Sequence, residues 1–369
     1  MSTEVHPLRV LIKALSLFVI LNILYAVSDP QGGSVSGYNV IFPGRTRLPF
    51  GISGDPYTVT VDYVDAMFSS HLIAAPKKIG EYRVALIGDS SIWGENLGAY
   101  EVISEQWNQL DFRCGEKSIR AYNLGYPHPS IVKDLVILEK ATEYEPDLII
   151  WFVTLNTLFS QRVNPFLVAN RDRAASVLDD YDIAFQGSRR LADETHGFYD
   201  GSFIGRRSAL ARQIRLQMLG IIWTATGSDT NTLAPDALPD FTVDDDPSYR
   251  RLQPSDPLAD LLLLGALSAG VEIAGSIPVL IVNEPIFIVD ETVSRVRYNP
   301  IYPRWAYDQY REALAAEAQR AGWDYLDLWN AIPPAYFSDA GLHLSLQGER
   351  ELVGQINPTL QSIACDTKQ

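Results

Sequence analysis

From Tyr82 onward the chain alternates short apolar runs with longer stretches of helical periodicity. Residues 84–87 form a continuous apolar run ended by Gly88-Asp89-Ser90. That is the pattern of a strand buried on both faces. A helix near 100–110 follows, then a strand near 119–124, a helix near 131–144 and a strong strand at 148–153. The rhythm resumes after residue 257 with a buried crossover helix at 259–274 and a strand at 278–282. An amphipathic helix at 305–321, a strand at 325–329 and a closing helix at 346–363 complete it. Strands alternating with helices predict an α/β three-layer sandwich around a mainly parallel sheet with right-handed crossovers.

Three regions stand outside this rhythm. Residues 10–27 are apolar except for Lys13, Ser16 and Asn22. As a helix the run spans about 27 Å, close to the hydrocarbon thickness of a bilayer. Arg9 and Lys13 precede it and Asp29 follows, so the positive-inside rule places everything after residue 28 outside the cytoplasm. The expected division is a membrane anchor at 1–28, a juxtamembrane lead-in at 29–81 and the main domain at 82–369. A cleaved signal peptide, giving a secreted protein, is the alternative; Tyr25-Ala26-Val27-Ser28 is a poor cleavage site. The lead-in is rich in turns, and alternation at 57–64 predicts one half-buried strand. Residues 160–257 read as a cap-like helical insertion with one long helix at 208–224. Its acidic clusters, Asp179-Asp180 and Asp244-Asp245-Asp246, lack a calcium-liganding spacing and read as solvated loops.

Composition narrows the function. The net charge of −15 argues against nucleic acid, since phosphate binding needs a basic face. No basic run exceeds a pair, which also argues against a polybasic membrane patch. The two cysteines, Cys114 and Cys365, have no metal-binding spacing. They are either a disulfide of an exported domain or two unrelated thiols. Neither a metal nor an organic cofactor is expected.

Two segments carry chemistry. Ser90 follows the first strand and opens a helix, the place where open α/β sheets put their active sites. Helix capping by Asp89 or Ser90 is the plain alternative. Far along the chain, Ser338-Asp339-Ala340-Gly341-Leu342-His343 precedes the last helix. An Asp that orients a His, which then deprotonates a Ser, is triad logic. A helix-entry turn with a surface His is the plain alternative there.

Taken together, these segments resemble the SGNH (GDSL-type) hydrolases. The resemblance covers roughly 82–159 and 278–363. It implies a flavodoxin-like sheet, Ser90 as nucleophile, His343 as base and Asp339 as its partner. It further implies an oxyanion hole from the Ser90 N–H, the Gly125 N–H of Asn123-Leu124-Gly125 and the Asn156 amide of Thr154-Leu155-Asn156. Thr154 stands where the family has Gly. The Asp–His spacing is one residue longer than the family's, which Gly341 would absorb with a positive φ. The layout of anchor plus extracytoplasmic domain resembles bacterial proteins that work beside membrane-bound O-acyltransferases. It implies an esterase or O-acyltransferase working on acyl esters, O-acetyl groups among them, of cell-surface glycans through an acyl-serine. The alternatives are a catalytically weak glycan-binding or scaffolding component and a secreted lipase-like esterase.

Overall fold

The computed structural model describes residues 6–28, 30, 37, 44–51, 61–159, 162–192, 198–226 and 241–365. Six strands form one sheet: β1 (Glu81–Ile87), β2 (Arg113–Cys114), β3 (Lys117–Asn123), β4 (Leu148–Val153), β5 (Val279–Asn283) and β6 (Asp324–Asp327). Their order is β2-β3-β1-β4-β5-β6. Only the short edge strand β2 runs antiparallel to its neighbour. Without β2, this is the doubly wound order in which β1 lies at the point where the winding reverses.

Side-chain alternation along the strands builds two cores. Ala85, Ile87, Ile149, Trp151 and Ile281 pack under the helices Ile131–Thr142, Gly265–Ala274 and Arg304–Ala321. Val84, Leu86, Ile150, Phe152 and Val282 pack under Ile103–Gln109 and Leu346–Cys365. Every residue of β1, β4 and β5 is buried, as the continuous apolar runs require.

The closing helix lies beside Ile103–Gln109, and Cys365 at its end is disulfide-bonded to Cys114 of β2, with Cα atoms 5.2 Å apart.

The structure corrects the sequence reading in several places. No strand occupies 61–63, and Val64 opens the helix Val64–Ser69; the rest of the expected strand, 57–60, lies outside the described residues. Alternation over so few residues does not distinguish a strand from an irregular segment pinned by its apolar positions. The helix of the insertion runs from Arg207 to Thr226, with a π-turn at Leu216–Gly220. The crossover helix is shorter than its apolar run: Leu258–Leu261 is a separate 3₁₀ turn and the helix starts at Gly265. The amino-terminal helix Pro7–Ser28 leaves its apolar side chains exposed from Leu8 to Val27, except around the buried Asn22.

His71 illustrates how the lead-in is tied down. It is 1% exposed, accepts the Ile73 N–H at Nδ1 and faces the Thr46 carbonyl through Nε2. Burial holds its pKa down to about 4. The unfolded chain takes up this proton near pH 6.5, whereas the folded one resists until about 4. Stability is therefore complete above pH 6.5 and lost as the pH falls through that window, by about 3 kcal/mol in all. Urea unfolding between pH 7 and pH 4 should show this loss, and it should shrink in His71→Gln; an unchanged acid slope in the variant would assign the loss to other groups.

Candidate active site

β1 ends at Ile87, and Asp89 caps the short helix Ser90–Trp93 by accepting the Ser91 N–H at 3.0 Å. Gly94 ends that helix in the left-handed conformation, φ 86°, which turns the chain so that Glu95 returns beside Ser90. The lead-in braces this corner. Arg47 Nη1 donates to the carbonyls of Gly94 and Leu97, and the Trp93 indole N–H donates to the Leu48 carbonyl at 2.8 Å.

Across 253 positions of sequence, Ser90 Oγ meets His343 Nε2 at 2.8 Å. His343 Nδ1 bonds Asp339 Oδ2. A carboxylate can only accept, so Nδ1 carries the proton and Nε2 presents its lone pair to the Ser90 hydroxyl. The lengthened Asp–His spacing is absorbed differently from the expectation, because Gly341 has no positive φ. Instead Asp339 Oδ1 gathers the N–H groups of Gly341, Leu342 and His343 at 2.8–3.2 Å, folding the extra residue into a turn around its own carboxylate.

Burial pulls the pKa of His343 down, but the hydrogen bond and charge of Asp339, with Glu95 and Asp89, outweigh it and leave it raised. Burial likewise pushes Asp339 up, and the His343 contacts more than reverse this. Glu95, whose side chain is 47% exposed, stands 3.4 Å from His343 Nε2. No sequence signal marked it.

The oxyanion residues divide. The Ser90 N–H has no partner among the described residues. Asn156 Oδ1 accepts from the Tyr249 hydroxyl at 2.8 Å and from Arg250 Nη2 at 2.9 Å. Since arginine only donates, the amide orientation is fixed and Nδ2 remains as a donor. Gly125 departs from its assignment: its N–H donates at 3.0 Å to Asn123 Oδ1, itself fully buried. Glycine is required there for packing, because a Cβ would fall 2.5 Å from the Trp93 nitrogen. Three residues on, His128 sits between Pro127 and Pro129 with φ 80°, and its N–H has no partner among the described residues. Thr154, in place of the family's Gly, exchanges hydrogen bonds with Thr157 at the entry of the helix Leu155–Phe159.

A buried polar layer supports the serine from below. Lys133, wholly buried, donates to the Gly88 carbonyl at 2.8 Å and the Tyr126 carbonyl at 2.6 Å and pairs with Asp134 at 2.8 Å. It thereby ties the carboxyl ends of β1 and β3 together. Glu284, just after β5, bonds Ser91 Oγ, and burial with the nearby Asp89 charge pushes its carboxyl well above the usual range. A protonated Glu284 donates to Ser91 Oγ while that hydroxyl donates to Asp89 Oδ1 at 3.1 Å. Ser91 is thus 8% exposed and engaged with acids, which removes it as a rival nucleophile.

No family model matches the sequence and no curated protein is similar to it. Several solved structures are distantly similar. A carbohydrate acetylesterase family member from Sinorhizobium meliloti is 10% identical with a TM-score of 0.34, over 76% of this chain and 98% of that one. A lipolytic G-D-S-L family protein from Veillonella parvula is 10% identical with a TM-score of 0.37, over 76% and 98%. A lipase/acylhydrolase from Enterococcus faecalis is 14% identical with a TM-score of 0.38, over 78% and 98%. The side chains themselves are more telling than these scores. With its serine after β1, its Asp–His pair ahead of the closing helix and a doubly wound sheet beneath them, the chain resembles the SGNH hydrolases in both fold and site layout.

Proposed function

We propose that the protein is a serine esterase or O-acyltransferase that moves acyl groups, O-acetyl among them, from ester-bearing cell-surface glycans through an acyl-Ser90 intermediate. The observation that carries this is the 2.8 Å contact between Ser90 Oγ and a His343 held by Asp339. His343 Nε2 takes the hydroxyl proton as Oγ attacks the ester carbonyl carbon. The carbonyl oxygen becomes an oxyanion facing the Ser90 N–H and Asn156 Nδ2, with the His128 N–H as candidate for the role expected of Gly125. Collapse expels the alcohol, which takes the proton from His343. Water or a sugar hydroxyl then attacks the acyl-serine, giving its proton to His343, and Ser90 is regenerated.

Support for a polar acceptor comes from the rim. Glu95, Asn96, His128, Asn156 and Arg250 are all polar and none is buried. Tyr249 and Arg250 belong to the segment read as a cap, and their grip on Asn156 supports that reading. We further propose that Pro7–Ser28 anchors the chain in the membrane with the catalytic domain outside the cytoplasm, where it would work beside a membrane-bound O-acyltransferase. The long exposed apolar surface of this helix supports the anchor. Labelling with a fluorophosphonate probe tests the nucleophile. Adduct on Ser90 separates an enzyme from a glycan-binding scaffold, and a reactive protein with the adduct on another residue would overturn the assignment.

The Glu95 carboxylate adds to Asp339 in favouring the imidazolium form of His343 and so bears on the acid limit of activity. Loss of its charge in Glu95→Gln should move the acid limb of kcat/KM to lower pH. Because Glu95 is half exposed, solvent screens its charge and the displacement should be small. A limb that stays put, or moves upward, would show that Glu95 does not act on His343.

A further inference from the structure

We infer that the insertion itself lies on the bilayer, with the side chains of Phe198, Tyr199, Phe203, Ile214, Met218 and Ile222 seated at the boundary between headgroups and acyl chains. This rests on the anchor reading of Pro7–Ser28, and three observations carry it beyond that reading.

The first is depth. Asn22 Oδ1 accepts the Ile204 N–H at 3.2 Å, and the rings of Tyr25 and Phe203 meet edge-on at 5.7 Å. Asn22 lies six residues before the end of the helix at Ser28, about 9 Å along its axis. A 22-residue helix is about 33 Å long, little more than the hydrocarbon core. Backbone that reaches Asn22 therefore lies within the outer edge of the membrane, and its neighbours lie at the interface.

The second is what this segment exposes. Phe198 is 60% exposed, Tyr199 56%, Met218 66% and Ile222 57%. Ile214, Met218 and Ile222 recur at four-residue spacing, one stripe along a helix. Outside this segment and the amino-terminal helix, large exposed apolar side chains on the described surface are scattered singly.

The third is charge. In a chain of net charge −15, residues 201–226 hold four arginines and no acidic residue. Arg207 and Arg215 are exposed on this segment, while Arg206 and Arg212 line a cavity shared with Asp62 and Asp65 of the lead-in. Arginine and aromatic side chains beside an apolar stripe are the composition of an interfacial helix. Arginines also favour anionic lipid over a merely apolar protein partner. Leu216 of the same segment is buried in the main core. The contact would thus fix how the catalytic domain is oriented on the membrane, rather than leave it swinging on the lead-in.

The test uses the full chain in vesicles of phosphatidylethanolamine and phosphatidylglycerol. The disulfide occupies both native cysteines. Single cysteines are introduced as Leu17→Cys, Phe203→Cys, Met218→Cys and Gln355→Cys, and each is labelled with an environment-sensitive fluorophore. Quenching is read with nitroxide-bearing acyl chains and with aqueous iodide. Labels at 17, 203 and 218 should be quenched several-fold more by the lipid nitroxide than the label at 355, which should respond to iodide. If 17 responds to lipid while 203 and 218 respond to iodide like 355, the anchor stands and the interfacial insertion is wrong. If 203 and 218 are shielded from both quenchers, a protein surface covers the face and the bilayer is wrong as its occupant. Failure at 17 itself overturns the anchor and the inference with it.

Discussion

Ser90→Ala should reduce turnover of a small acyl ester to background, a loss on the order of 10⁶ in kcat if the triad acts as one unit. The hydroxyl that contacts His343 at 2.8 Å is the only atom removed. Asp339→Asn should cost less, on the order of 10⁴, because the imidazole keeps its place but loses the acceptor that selects its tautomer. The two losses together should not multiply. Ser90 is half-buried at the start of a four-residue helix and contributes little packing, so Ser90→Ala should change stability by no more than about 1 kcal/mol. A folded Ser90→Ala protein that still turned over ester would sink the assignment, and the buried, acid-engaged Ser91 would not rescue it.

Breaking the Cys114–Cys365 disulfide should produce the largest stability loss of any single change. The bridge closes a loop of 251 residues. In the chain-entropy model such a loop contributes an upper stabilisation of roughly 4–5 kcal/mol. The Cys114→Ser, Cys365→Ser double variant should unfold at a markedly lower urea midpoint, and the wild-type protein should do the same under reductant. Because the bridge fastens the closing helix that follows Asp339 and His343, Ser90 labelling should also become more sensitive to urea in the variant. A midpoint unchanged by reduction would mean that the closing helix holds through Leu352, Ile356 and Leu360 alone.

Much of this protein was legible in order along the chain. Apolar runs with turn punctuation placed β4 and β5 to within one residue, because a strand buried on both faces has no polar position to confuse the pattern, and β3 to within two; β1 begins at Glu81, three residues before its apolar run. The half-exposed β6 and the irregular lead-in were less clear, since only weak alternation marks them. Ser90, Asp339 and His343 were legible as well. Each lies at a strand-to-helix or turn-to-helix junction, and their chemistry is paired by type.

What the sequence could not specify is who competes for each polar group. Asn123 takes the Gly125 N–H, Arg250 fixes Asn156, Glu95 approaches His343, and Lys133 and Glu284 sit buried beneath the serine. These partners are separated by anything from 2 to 248 residues, and no periodicity encodes them. They arise because a parallel sheet gathers the carboxyl ends of all its strands at one edge, and which donor meets which acceptor there is decided by offsets of about an ångström. The apolar face of the insertion follows the same logic. Its residues were visible as a helix, but only the contact with Asn22 and Tyr25 sets it against the amino-terminal helix. Local chemistry therefore determined the strands, the candidate nucleophile and the apolar amino-terminal helix, while long-range packing decided the electrostatics around the serine and the neighbours of the insertion.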